Sequence, residues 1–178
     1  MTPENIERYA RHLVLKEVGG PGQRALGQAK VAIVGAGGLG GPAALYLAAA
    51  GIGHITLIDD DAVDLSNLQR QIQFTESDIG REKTRAAADR IGEINSGVVT
   101  EIKTARVGAD NASALLGGHT LILDGTDSFE TRFIVNDAAL THKIPLVSGA
   151  IGRFDGQVGV FSPIRASKAM FCTKKNSI

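Results

Sequence analysis

Apolar positions along this chain fall into two patterns. Some runs are short and apolar throughout; other stretches are longer, with apolar residues recurring at helical spacing. The run at 31–35 (VAIVG) is short, apolar and closed by glycine, which predicts a parallel strand buried on both faces. Further strands are predicted at 54–59 (HITLID), 98–104, 121–127 (LILDGTD), 145–151 (PLVSGAI) and 156–161 (GQVGVF). Helical stretches lie between them. Residues 38–50 are rich in Ala and Leu, residues 81–95 put Ala87, Ile91 and Ile94 on an inward face, residues 111–116 give a short helix, and residues 129–141 give another. At the N-terminus Thr2 is placed to cap a helix whose first position is Pro3, with Ile6, Tyr9, Leu13 and Val14 on one face. Gly19-Gly20-Pro21-Gly22 breaks that helix, and residues 23–28 read as a helical turn or connector. Residues 61–79 are polar and read as a loop with a short helical turn.

Strands alternating with helices imply an α/β fold with a Rossmann-like doubly wound, mainly parallel sheet, preceded by an N-terminal helix. Residues 152–155 leave no room for a helix between the last two strands, so that edge is predicted antiparallel. One domain over residues 1–161 results, with its helical leader at 1–28. After Phe161 the pattern loses any period, and residues 162–178, basic and without acidic residues, read as an irregular tail.

Composition narrows the picture. A chain of 178 residues suits one domain, or one domain and a fragment, and 43% apolar with 21% charged residues is the balance of a soluble globular protein. Nineteen Lys and Arg against nineteen Asp and Glu give a net charge of zero, so nothing points to nucleic acid or an anionic membrane. The start, MTPENIERYARHLV, lacks the apolar core of a signal peptide, and the longest apolar stretch, 43–52, is too short to span a bilayer. A single cysteine, Cys172, excludes a disulfide framework and a self-contained cysteine zinc site. It is compatible with a reducing cytoplasm, the compartment expected here.

Three clusters carry candidate chemistry. Gly35-Ala36-Gly37-Gly38-Leu39-Gly40 fits G-x-G-x-x-G directly after a strand and into a helix, where glycines let the backbone approach a phosphate at the helix N-terminus. The alternative is a tight strand-to-helix turn with no ligand. Asp59, ending the second strand, can accept hydrogen bonds from both ribose hydroxyls, which suits ATP and NAD equally. Asp60, Asp61 and Asp64 read as solvated loop charges. Ser66-Asn67-Leu68-Gln69-Arg70 follows closely. Arg70 offers a planar fork to phosphate oxygens, and Lys83 can reach back over the same pocket; taken alone, Lys83 or Arg81 reads as a solvated helix face. A nicotinamide dinucleotide, with its diphosphate, has no need of such cations. Asp127, with Ser128, ends the fourth strand opposite the glycine turn, where a carboxylate suits Mg²⁺; the alternative is that Asp127 or Ser128 caps the next helix. Asp124 reads as supporting or structural.

GAGGLG, TLIDDDAVDLSNLQRQ, GREK, LDGTDSFETR and PLVSGAIGRFDGQVGVF, in that order, resemble the ThiF/MoeB/HesA family, the bacterial relatives of ubiquitin-activating enzymes, and within it the molybdopterin-synthase adenylyltransferases. The resemblance implies ATP bound by Gly38, Asp59, Asn67, Arg70 and Lys83, with Asp127 linked to Mg²⁺. It implies a homodimer in which Arg11 reaches into the neighbouring subunit's site. The implied activity is adenylation of the C-terminal glycine carboxylate of a ubiquitin-like sulfur carrier, of the molybdopterin or thiamine synthesis type. Family members also carry two C-x-x-C pairs for zinc and further strands. With Cys172 alone, neither zinc nor a catalytic cysteine is expected in this chain, and its end reads as truncated relative to the family. The competing expectations are a truncated, non-catalytic module that binds ATP or dimerises, and an NAD-dependent oxidoreductase.

Overall fold

The computed structural model describes residues 1–162. A sheet of order β3-β2-β1-β4-β5-β6 forms the centre. Its strands are β1 (Lys30–Val34), β2 (His54–Ile58), β3 (Val99–Lys103), β4 (Leu121–Asp124), β5 (Leu146–Ile151) and β6 (Gly156–Phe161). All neighbouring pairs are parallel except β5 with β6. The expected sheet and its antiparallel edge are therefore present.

Alternation along the central strand builds two cores. Val31 and Ile33 join Ile55 and Leu57 on one face, under Ala44 and Ala48 of α4 (Gly40–Ala50) and Ala86, Ala87 and Ile91 of α5 (Lys83–Ile94). Ala32 and Val34 join Ile58, Ile122 and Leu146 on the other, under α6 (Ala112–Leu116) and α7 (Phe129–His142). Both faces of β1 are thus covered, as its unbroken apolar run requires.

The chain runs from β1 outward through β2 to β3, then returns to lay β4 on the other side of β1. This reversal is the switch point at which open α/β sheets leave a crevice beyond the strand ends. Register sets what meets there. Val34 lies level with Ile58 on one side and Asp124 on the other, so the residues that follow each strand rise side by side.

The N-terminal region departs from expectation. The predicted single helix is divided into α1 (Pro3–Arg8) and α2 (Ala10–Leu13), and Gly19–Gly22 opens α3 (Gly19–Gln28) instead of breaking a helix. Pro21 is tolerated because the first turn of a helix has no partners for its N–H groups. Gly19 takes φ +54, which lets the chain turn into the helix. Buried Gln23 then anchors α3, donating from Nε2 to the Ala50 carbonyl at 2.9 Å. Of the face predicted on the leading helix, Tyr9 is buried, but Ile6 and Val14 are exposed. Thr2 does cap α1, its Oγ1 accepting from the Asn5 N–H at 3.2 Å. The loop after β2 holds two short 3₁₀ turns, Leu65–Asn67 and Glu76–Asp78, where one helical turn was expected. The expected tail at 162–178 lies, from residue 163 on, outside the described residues, as does Cys172. Among the described residues no helix is long and apolar enough to cross a membrane.

Candidate functional site

A cavity of about 660 Å³ opens above the switch point, walled by the segments that follow β1, β2, β3 and β4, by the end of β5 and by Gln157 of β6. Its floor is the glycine turn. Gly35 adopts φ +86, and a Cβ there would crowd Gly125 and Thr126. Gly37 and Gly38 face the cavity. Gly40 does not: a Cβ on it would lie 1.8 Å from the Gly35 carbonyl oxygen, so this glycine closes the turn against itself and offers no surface to a ligand.

The turn is braced from below by Gln73. Its buried Nε2 donates to the carbonyls of Ala36 (2.9 Å) and Gly37 (3.2 Å). A Cβ on Gly41 would strike that amide. Asp59 braces the turn from the side. Its Oδ2 accepts from the Ala36 N–H at 2.7 Å and its Oδ1 from the Asp61 N–H at 2.8 Å. Burial pushes the Asp59 carboxyl above the ordinary carboxylate range, against the lowering effect of those two backbone N–H groups and of Lys83. Each oxygen still has a lone pair free to accept a further hydrogen bond.

Asn67, Arg70 and Lys83 line the cavity; Ser66 and Gln69 do not. Ser66 contributes its carbonyl, which accepts from Arg70 Nη1 at 3.2 Å, and so aims the guanidinium. Asn67 Oδ1 accepts from the Asp64 N–H at 3.2 Å, part of a reciprocal cap that fixes the turn. Lys83 is buried, with its Nζ 2.8 Å from Asp61 Oδ2. Asp61 was expected to be a solvated loop charge; the structure makes it the counter-ion of this lysine.

Beyond β4, buried Asp124 is structural. It accepts from the Thr126 N–H and hydroxyl at 3.0 and 2.7 Å and from the Ser148 hydroxyl at 2.8 Å. Ser128, not Asp127, caps α7, its Oγ accepting from the Thr131 N–H at 3.3 Å. Asp127 is left exposed on the cavity wall, with no ion pair among the described residues. It lines the same cavity as the glycine turn, and its carboxylate could hold a magnesium ion there. The carboxylates of Asp59, Asp60 and Asp61 also come within 4.8 Å of one another. Within that cluster the Lys83 ammonium already pairs with Asp61.

Several cavity residues were missed in the sequence, among them Arg106, Gln71 and Arg132. Arg132, buried on α7, donates from Nη2 to the carbonyls of Thr126 and Gly149, the latter at 2.9 Å. Gln71 is buried with Oε1 unpaired among the described residues. Gln71 directly follows the Ser66–Arg70 cluster, and Arg132 lies in the helix predicted at 129–141, but sequence alone assigns neither to the site. Arg11 lies on α2, exposed and away from this cavity.

The glycine turn, the carboxylate after β2 and several basic residues meet at the switch point of a Rossmann-type fold. The chain belongs to the ThiF family, whose model matches residues 9–177. It is 47% identical over 161 residues to the probable adenylyltransferase/sulfurtransferase MoeZ of Mycobacterium tuberculosis, covering 90% of this chain and 41% of that protein. It is 44% identical over 160 residues to the sulfur carrier protein adenylyltransferase of Thermus thermophilus, covering 90% and 59%. The E. coli MccB structure with ATP matches with a TM-score of 0.81 at 26% identity, over 89% of this chain and 49% of that one. The chain thus spans about half the length of the curated relatives it matches.

Proposed function

We propose that this chain is the nucleotide-binding part of an enzyme that uses ATP to adenylate the C-terminal glycine carboxylate of a small ubiquitin-like sulfur carrier. The observation that carries the reading is that Arg70, Lys83 and Asp127 share one cavity with the glycine turn. A dinucleotide oxidoreductase would have no use for two cations beyond its diphosphate. A triphosphate and a departing pyrophosphate do.

The chemistry is a displacement at the α-phosphate of ATP. A carboxylate oxygen of the carrier bonds to the α-phosphorus. The bond to the α,β-bridging oxygen breaks, and that oxygen leaves with the electron pair as pyrophosphate. No protein nucleophile takes part, so the residues act by position and charge. Asp59 receives the ribose, and the N–H groups around Gly37 and Gly38 meet phosphate. Arg70 and Lys83 stabilise the charge gathering on the leaving group. Asp127 would hold Mg²⁺, which when bound offsets phosphate charge. Arg11, exposed on α2 and away from its own cavity, suits the homodimer in which it completes the neighbouring site.

The test is ATP–pyrophosphate exchange with sulfur carriers of the molybdopterin and thiamine type, run beside Arg70→Ala and Asp127→Ala. Exchange that requires a carrier ending in Gly-Gly and collapses in both variants supports the reading. Background exchange in a protein that still binds ATP sinks it and leaves a non-catalytic nucleotide-binding module.

A further inference from the structure

Arg132 presents a physical problem that the nucleotide reading leaves unsolved. Its residue is only 6% exposed, yet no carboxylate pairs with it among the described residues. An arginine stays charged at every working pH, and a buried charge without a counter-ion is costly. The hydrogen bonds it makes among the described residues leave from Nη2 alone, to two main-chain carbonyls that join the end of β4 to β5. The guanidinium is therefore held in place but not neutralised, and it lines the cavity. Such a group awaits an anion.

Position says which anion. Along the strand ends the order is Asp59 after β2, the glycine turn after β1, Asp127 after β4, and then Arg132 bridging β4 to β5. A nucleotide whose ribose lies over β2 brings its α-phosphate over β1, between Asp59 after β2 and Arg132 at the junction of β4 and β5. Lys83 belongs to α5, and Arg70 follows Leu68 in the loop packed on the same sheet face. Arg132 belongs to α7, on the opposite face. In-line displacement needs the entering and leaving oxygens on opposite sides of the phosphorus. With Arg70 and Lys83 drawing the pyrophosphate to one side, the cation on the other side is placed for the nucleophile.

We propose that Arg132 binds the C-terminal carboxylate of the peptide tail that is to be adenylated, holding it opposite the pyrophosphate. This rests on the adenylation reading above. It predicts a preference that can be read without turnover. A fluorescent peptide ending in Gly-Gly as the free acid, titrated into the full chain with a non-hydrolysable ATP analogue, should bind about tenfold more tightly than its C-terminal amide. Arg132→Met should abolish that preference, and Arg132→Lys should restore part of it. A merely structural arginine would weaken acid and amide alike. An acid preference that is absent in the wild type, or that survives in Arg132→Met, overturns the proposal. So does a fall in nucleotide affinity as large as the fall for the free acid, which would assign Arg132 to the triphosphate. Should Arg132→Met fail to fold, by thermal melt, Arg132→Gln carries the same comparison. Failed pyrophosphate exchange with the acid preference intact would count against adenylation and leave the carboxylate site standing.

Discussion

Lys83 and Asp61 are joined twice: Nζ lies 2.8 Å from Asp61 Oδ2, and the Lys83 main-chain N–H donates to the Asp61 carbonyl at 3.0 Å. The lysine side chain is 7% exposed and the aspartate 66%. Solvent screens the aspartate, so the pair is worth less than a fully buried one. Its loss still leaves a nearly buried ammonium without a partner. Asp61→Ala should therefore destabilise the nucleotide-free protein by about 1–2 kcal/mol. Phosphates of bound ATP can replace the missing carboxylate. Saturating ATP should raise the melting temperature more in Asp61→Ala than in the wild type. Equal shifts in the two proteins would mean that Lys83 does not meet the nucleotide.

Two glycines of one turn should fail in different ways. A Cβ at Gly40 would lie 1.8 Å from the Gly35 carbonyl oxygen, which nothing flexible can relieve. Gly40→Ala should lose about 3 kcal/mol of stability or more, seen as a lower urea midpoint. A Cβ at Gly38 would rest 3.6 Å from Arg70 Cγ, an ordinary contact, but on the cavity side. Gly38→Ala should melt close to the wild type and bind ATP more weakly by titration calorimetry. The reverse pattern would move the phosphate site away from Gly38.

Much of this arrangement was legible in the sequence, and the failures share a cause. Strands β1, β2 and β4 announce themselves as short, mostly apolar runs, as strands buried on both faces require. The glycine turn and Asp59 follow from their position after such strands. Gly19–Gly22 misled because glycine and proline usually break helices, whereas here the sequence opens one and the deciding contact, Gln23 to Ala50, is long-range. Ile6 and Val14 have helical spacing but no partner surface within the described chain. Asp61 reads as a solvated loop charge, and Arg132 and Gln71 are not assigned to the site, because only the fold reveals that α7, the loop after β2 and the end of β5 converge over one cavity.

Asp78 gives an acid-side test of stability. Burial raises its carboxyl, but the N–H and hydroxyl of Thr75 and the Arg81 guanidinium together outweigh burial and hold it below its ordinary 3.8. A carboxylate lowered in the folded state adds stability that is present above the unfolded value and is lost as pH falls through the folded one. Asp59 has the opposite sign: its raised carboxyl stabilises below 3.8, and that contribution is lost as pH rises through the folded value. Asp78→Asn should therefore reduce the difference in urea midpoint between pH 7 and acid, and Asp59→Asn should not. An unchanged acid limb in Asp78→Asn would show that the Thr75 and Arg81 contacts do not persist in solution.

Arg11 and Arg70 should complement across subunits. Arg70 lines the cavity of its own chain, whereas Arg11 is exposed on α2, outside it. If Arg11 acts in the neighbouring site, each active centre of a twofold dimer draws one arginine from each chain. Arg11→Ala and Arg70→Ala homodimers should each lose about 10²–10³-fold in pyrophosphate exchange, the scale of removing one transition-state cation. A mixed dimer then holds one centre lacking both arginines and one centre that is intact. Unfolding and refolding the two variants together in equal amounts should return about a quarter of wild-type activity, since half the dimers are mixed and half their centres are whole. No recovery on mixing, in a preparation shown by light scattering to be dimeric, would place Arg11 outside the active centre altogether.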